Sequence, residues 1–214
     1  NIPGRRVAAP DYVETLYRGN ANVQPGQVIH GYERFQTLNW NTSLLALLGA
    51  SDNPFGADQL TALLELGAFQ VLDMPPVEQL QLGTPGVFFH RSAGVDGTGS
   101  TTTNPDRLNP SFQTDGYATE FAWGYRILSG LNYENVFWGV KLLPQATFFH
   151  DVDGRAALPA AEFVEGRKQA SLGLGFSYES NWNGAVRYNW FFGGGTANAL
   201  ADRDYLQLNL SYDF

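Results

Sequence analysis

The last nine residues alternate without a break, and that alternation constrains the fold more than any other feature of the chain. Leu206, Leu208, Leu210, Tyr212 and Phe214 hold one parity, while Gln207, Asn209, Ser211 and Asp213 hold the other. A repeat of two places successive side chains on opposite faces of an extended chain, so the segment reads as a strand with one apolar and one polar face. Six more segments follow the rule. Trp182, Val186, Tyr188, Trp190 and Phe192 oppose Asn183, Arg187 and Asn189; Leu172, Leu174, Phe176 and Tyr178 oppose Ser171, Gly173, Gly175 and Ser177. Val136, Trp138, Val140, Leu142, Ala146 and Phe148 face away from Lys141, Gln145 and Thr147. Thr119, Phe121, Trp123, Tyr125 and Ile127 oppose Glu120, Ala122, Gly124 and Arg126. Leu60, Ala62, Leu64 and Leu66 stand against Thr61 and Glu65, and Leu38, Trp40, Leu44 and Leu48 against Asn39, Asn41 and Ser43.

Seven two-faced strands fit either a soluble sandwich or the wall of a membrane barrel, and both keep charge off the apolar face. Glu65, Glu120, Arg126, Lys141 and Arg187 all fall on the polar parity, as a barrel lumen requires. Trp, Tyr and Phe gather near the strand ends of the apolar faces, the pattern of the aromatic girdles of a barrel wall. The connections supply an independent argument, because outer-membrane barrels have short turns on the periplasmic side and long loops outside. The links 49–57, 132–135 and 180–183 are short; 73–116, 150–167 and 193–203 are long. The two classes alternate, and with Phe214 on the periplasmic side every long loop falls outside.

The expected fold is therefore an all-β, antiparallel transmembrane β-barrel of the outer-membrane type, with this chain supplying about seven C-terminal strands and long outer loops. Residues 1–30, with Pro3, Pro10 and Pro25, read as an outer loop leading into the first strand, and residues 31–214 as the C-terminal part of the barrel. Bacterial barrels close with an even number of strands, because an open edge in lipid leaves backbone groups unpaired. Further strands are expected to close the wall. The long segment 73–116 is expected to fold over or into the lumen as a gate, or to lie outside as a disordered loop.

Composition excludes several other classes. No uninterrupted apolar run reaches the ~18 residues of a transmembrane helix. With no cysteine, disulfide frameworks and thiolate metal sites are ruled out. A net charge of -8 argues against nucleic acid, which needs clustered Lys and Arg. The chain opens on Asn1 without a charged start and an apolar run, so any signal peptide is expected to have been removed.

The chemistry-bearing residues do not assemble into a reactive motif. His30, His90 and His150 are far apart and lack metal-ligand spacing, so they read as loop or strand-end residues. Asp151-Val-Asp153-Gly154 imitates the start of a calcium loop, without the later ligands or the closing Glu. No Gly-x-Ser-x-Gly elbow or comparable His and Ser grouping occurs, so the chain is not expected to be an enzyme, and neither a cofactor nor a metal is expected. Gly193-Gly-Gly195 has no evident helix after it to orient a phosphate and reads as a flexible outer loop. Arg126, Lys141 and Arg187 with Glu65 and Glu120 are candidates for a charged ladder across the lumen wall, serving as a selectivity surface or merely pairing with each other and a plug.

Phe163-Val-Glu-Gly-Arg-Lys168, Leu172-Gly-Leu-Gly175, Trp190-Phe-Phe-Gly193 and Asp202-Arg-Asp-Tyr205, with Trp123-Gly-Tyr-Arg126 and His150-Asp-Val-Asp-Gly154, resemble a proteobacterial family of large outer-membrane β-barrel proteins of unknown function. The likeness covers roughly the last hundred residues closely; 31–72 and 75–89 are looser matches. What the resemblance implies is a bacterial outer-membrane barrel that accompanies a periplasmic lipid-carrier-like protein and an RND-type transporter. Such systems are linked to movement of hydrophobic compounds across the envelope. The family has no established ligand residues to carry over. The final strand, with Leu208, Leu210, Tyr212 and Phe214, also resembles the signal read by the barrel-assembly machinery. The lipid bilayer and lipopolysaccharide are the surroundings such a wall would meet. Two functions remain as expectations: passage of a hydrophobic or amphipathic small molecule, or a structural or surface-interaction protein whose long loops bind a partner.

Overall fold

Alternation at period two gives long strands and little else. A computed structural model describes residues 34–76, 82–84, 116–157, 160, 162–179 and 181–214. The strands are β1 (Thr37–Gly49), β2 (Gln59–Val71), β3 (Phe121–Phe137), β4 (Val140–Asp153), β5 (Arg167–Tyr178), β6 (Trp182–Gly193) and β7 (Tyr205–Tyr212), and one 3-10 turn covers Gly195–Ala197. They form one sheet in the order β1-β2-β3-β4-β5-β6-β7, so each strand pairs with its neighbours in sequence. From β3 to β7 each strand pairs antiparallel with the next. No α-helix occurs among the described residues, and no helix among them is long and apolar enough to cross a membrane. The segments 1–30 and nearly all of 73–116, expected as outer loops, lie outside the described residues, as do His30 and His90.

Two corrections to the sequence reading concern turns. Asn132 to Asn135, expected as a tight turn, belongs to β3, and the chain reverses at Trp138 and Gly139 instead. Both have positive φ, 49° and 82°, the backbone of a two-residue hairpin turn whose twist matches the flanking strands. Trp138, expected on an apolar strand face, is the tip of this turn and 88% exposed. The 132–134 segment stays extended because its polar groups are engaged elsewhere, and Asn135, at φ 51°, makes an irregularity within β3 rather than a reversal. Asn132 O accepts from Asp58 N at 2.8 Å, Glu134 N donates to Asp58 Oδ2 at 2.6 Å, and Glu134 pairs with Lys141 at 2.6 Å. The glycine run is the second correction. Gly195 begins a 3-10 turn, and Asn198 Nδ2 closes it by donating to Gly193 O at 3.0 Å, so the run is an ordered turn.

By contacts the chain divides into two units. One comprises Asn1–Leu38, Phe69–Ala122 and Gly154–Val164. Its described part holds a small hydrophobic core: Phe69, Val71 and Ala156 are buried, with Phe35, Met74, Ala160 and Phe163 against them. A second cluster joins Leu82, Ala118 and Ala157. Backbone bonds tie these segments together, Leu72 N to Gln36 O, Ala118 N to Leu82 O and Thr119 N to Arg155 O among them. The other unit comprises Asn39–Ala68, Trp123–Asp153 and Glu165–Phe214 and carries most of the sheet.

Within this second unit the burial is inverted from that of a soluble domain. Leu172, Leu206, Leu208 and Leu210 are 57%, 57%, 72% and 65% exposed, whereas Ser171 and Asn189, on the opposite parity, are 4% exposed. Soluble proteins bury large aliphatic side chains and rarely expose contiguous patches of them. Along β5 the polar parity is the more closely packed one, whereas both parities of β7 are exposed.

Candidate functional site

The register of β4 to β7 converts sequence parity into faces. Gln145 pairs with Gly173, Gly173 with Arg187 and Arg187 with Gln207, which makes one polar row across four strands. The adjacent row runs Ala146, Leu172, Tyr188, Leu206 and points the other way. Partners directly opposite share a face, so these two rows stay on opposite faces across all four strands.

Three of the five charged residues singled out from sequence share the polar face without meeting. Arg126 pairs in register with Phe149, which shares the parity of Lys141 and Gln145, and Arg187 lies two strands beyond. They do not form a ladder with one another. Lys141 Nζ pairs with Glu134 Oε1 at 2.6 Å; Arg187 Nη2 donates to Gln145 Oε1; the Arg126 guanidinium stands 5.5 Å from the centre of the Phe149 ring. Glu65 is half-buried midway along β2. Glu120 is a correction: it lies one residue before β3 rather than within the strand, exposed, with its Oε1 accepting from Gln70 Nε2 at 3.4 Å.

The local fold makes the Arg187 to Gln145 bond possible. These two residues lie on β6 and β4, with β5 between them, so the arginine must cross a strand. Gly173 provides the crossing, since a Cβ at that position would stand 3.3 Å from Arg187 Nε. One row further, Thr147 Oγ1 and Ser171 Oγ share a hydrogen bond at 2.6 Å, and Ser171 pairs with Asn189. Two rows from Arg187 the same face turns aromatic at Phe149 and Phe191, and Phe191 stacks at 6.1 Å and 24° on Tyr205, which stands opposite Asn189 one row nearer.

The apolar face ends in rings at both margins. Near the β5–β6 turn, Trp182 lies 4.8 Å from Tyr212, and Tyr212 lies 5.1 Å from Phe214. Toward the other margin, Tyr188 lies 4.5 Å from Trp190, and Tyr125 contacts Phe148 and His150 at 6.1 and 5.5 Å. Lys168, paired with His150, sits at that margin on the apolar parity. Parity along β5 alone could have found it. Leu208 and Leu210 of the expected assembly signal lie on β7 with Tyr212 as its last residue; Phe214 stands beyond the strand, while Asp213 N donates to Asn181 O at 2.9 Å.

The calcium-like Asp151-Val-Asp153-Gly154 has another role. Asp151 Oδ2 accepts from Arg167 Nε at 2.7 Å, joining the ends of β4 and β5. Gly154, at φ 78°, lets the chain pass Phe121, whose carbonyl oxygen would be 2.0 Å from any Cβ there. No group of three or more His, Asp or Glu side chains is placed to hold a metal among the described residues.

A family model described as "Protein of unknown function (DUF1302)" matches residues 6–214. Neither a curated protein nor a solved structure matches the chain.

Proposed function

As the chain belongs to the DUF1302 family of proteins of unknown function, we propose that its activity follows from the two faces of its sheet: it forms part of a bacterial outer-membrane β-barrel through which a hydrophobic or amphipathic small molecule passes. The observation that carries the reading is the inverted burial. A sheet whose β5 and β6 expose Leu172, Leu174 and Val186 while packing Ser171 and Asn189 is matched to lipid on one side and to a polar interior on the other.

Dimensions support the reading. From Trp182 to Phe192, β6 covers about 33 Å at ~3.3 Å per residue. Tilted by roughly 40°, that length crosses about 25 Å, the height of the apolar band of an outer-membrane barrel. Aromatic rings lie at both ends of the interval. Antiparallel order from β1 to β7 puts the connections 138–139 and 179–181 at one margin with the C-terminal residues, and 154–166 and 194–204 at the other. In this reading the margin of short turns is periplasmic.

Among the described residues the sheet order begins at β1 and ends at β7, so each contributes an edge. Unpaired backbone groups in hydrocarbon cost several kcal/mol each. The proposal therefore includes further strands, from the same polypeptide or a partner chain, that complete the wall. The barrel-assembly machinery, acting on the strand that carries Leu208, Leu210, Tyr212 and Phe214, is the proposed route of insertion. A periplasmic carrier and an RND-type transporter are proposed to supply or receive the solute.

The test uses cells that make the full-length protein. Uptake of an apolar probe is expected to fall when the protein is deleted, and the protein is expected to change gel mobility on heating. Unaltered uptake with a heat-modifiable protein would instead support a structural role, in which the packed connections around Phe69, Val71 and Ala156 present a surface to a partner. A protein that neither shifts on heating nor fractionates with the outer membrane would end both readings.

A further inference from the structure

The charges of the polar face do not cancel where the face is most polar. Lys141 is matched by Glu134 and Arg167 by Asp151, each within 2.7 Å. Arg187 is not matched: among the described residues its partner is the neutral amide of Gln145, which accepts from one nitrogen. A guanidinium offers five donors in a planar fork that suits a carboxylate or phosphate. Stretched over Gly173, its orientation is fixed from both ends of the side chain.

Its neighbour along β6 adds a second donor. Asn189 is 4% exposed, and its side-chain nitrogen has no hydrogen-bond partner among the described residues. An unpaired buried donor is a cost that an acceptor brought to the site removes. Next comes an apolar wall: Phe191, about 13 Å from Arg187 along the strand, stacks on Tyr205. A cationic fork, a spare amide donor and a flat aromatic surface thus follow one another on a single face.

Building on the passage reading above, we propose that Arg187, with Gln145 and Asn189, receives the carboxylate of an amphipathic organic anion whose apolar body lies against Phe191 and Tyr205. The substrate class is then an acid with a hydrophobic body of about ten carbons or more. Neutral hydrocarbons lack the group that the guanidinium recognises, and cations are repelled by it.

Equilibrium dialysis of the full-length protein in non-ionic detergent, with empty micelles as the reference, tests this with three probes of one length: dodecanoate, 1-dodecanol and dodecylammonium. Dodecanoate is expected to bind at least about tenfold more tightly than the alcohol, and the ammonium more weakly than either. Arg187→Gln removes the preference, Arg187→Lys keeps part of it, and Arg126→Gln leaves it intact. Equal binding of dodecanoate and alcohol to the wild type overturns the proposal, as does an Arg187→Gln protein that still prefers dodecanoate. Should Arg187→Gln fail to fold, the wild-type preference and its survival in Arg126→Gln decide the matter. Heat-modifiable mobility of the same wild-type sample separates the two levels: a properly folded barrel without the preference refutes only the anion site.

Discussion

The ring of Phe176 covers Gly184 on the neighbouring strand so closely that a Cβ built at position 184 would stand 2.3 Å from its Cε1. The pair lies on the apolar face, and the ring supplies the contact surface that glycine lacks. Gly184→Val displaces the ring and is predicted to destabilise the folded protein by about 1–3 kcal/mol, the usual cost of overpacking. Urea unfolding in lipid vesicles, followed by tryptophan emission, gives the value. Gly184→Val combined with Phe176→Ala is predicted to recover part of the loss.

Thr147 and Ser171 exchange a hydrogen bond at 2.6 Å across β4 and β5, with Ser171 nearly sealed from solvent. Removing one hydroxyl leaves the other short of a partner. Each of Thr147→Val and Ser171→Ala is predicted to cost about 1–3 kcal/mol, and the double variant less than the sum of the two. A double-mutant cycle with the same unfolding assay measures the coupling; strict additivity would show the bond contributes nothing specific.

Asp151 and Arg167 join the ends of β4 and β5 at 2.7 Å, with the carboxylate side chain only 15% exposed. Asp151→Asn weakens a hydrogen bond to a charged group and is predicted to lower stability by about 1.5–3 kcal/mol. Hydrogen exchange is expected to rise first at the β4–β5 margin. A metal titration of the same variant should look like that of the wild type, because Asp151 serves the arginine.

Leu208 and Gln207 are neighbours on β7 with opposite surroundings in this account. Leu208→Arg puts a cation into hydrocarbon and is predicted to cost about 2–4 kcal/mol near the mid-plane of the bilayer, whereas Gln207→Arg is predicted to be close to neutral. Folding yields into vesicles, compared side by side, provide the check. Equal tolerance at both positions would remove the assignment of the even parity of β7 to lipid.

The alternation of β4 to β7 is legible because the apolar parity holds over most of each strand, from Leu172 to Phe176 and from Val186 to Trp190, with Leu143, Phe149 and Phe191 as departures. The reversal at Trp138 and Gly139 was hidden, because Asn132 and Asn135 are common turn residues and a tryptophan with positive φ is not expected from propensity. That 132–134 continues the strand depends on Asp58, distant in sequence, which binds both Asn132 and Glu134. That misplaced turn also concealed the Glu134 to Lys141 ion pair. Arg187 was visible as a polar-parity charge, but its bond to Gln145 needs the register of three strands and the absence of a side chain at Gly173. The small core around Phe69 and Val71 is not legible in the sequence, because its partners, Ala156 and Phe163, come from a connection with no periodic pattern.

The central claim is that even and odd positions of one strand meet different media. The chain has no cysteine, so single cysteines can be introduced at 205–212 and spin-labelled without removing others. In the full-length protein reconstituted into lipid vesicles, collision rates with molecular oxygen report hydrocarbon and those with a water-soluble nickel chelate report water. The account predicts oxygen maxima at 206, 208 and 210, with nickel maxima, or low access to both, at 207 and 209. Nickel access at 206, 208 and 210 equal to that of a water-exposed control, or no alternation along the strand, would contradict it.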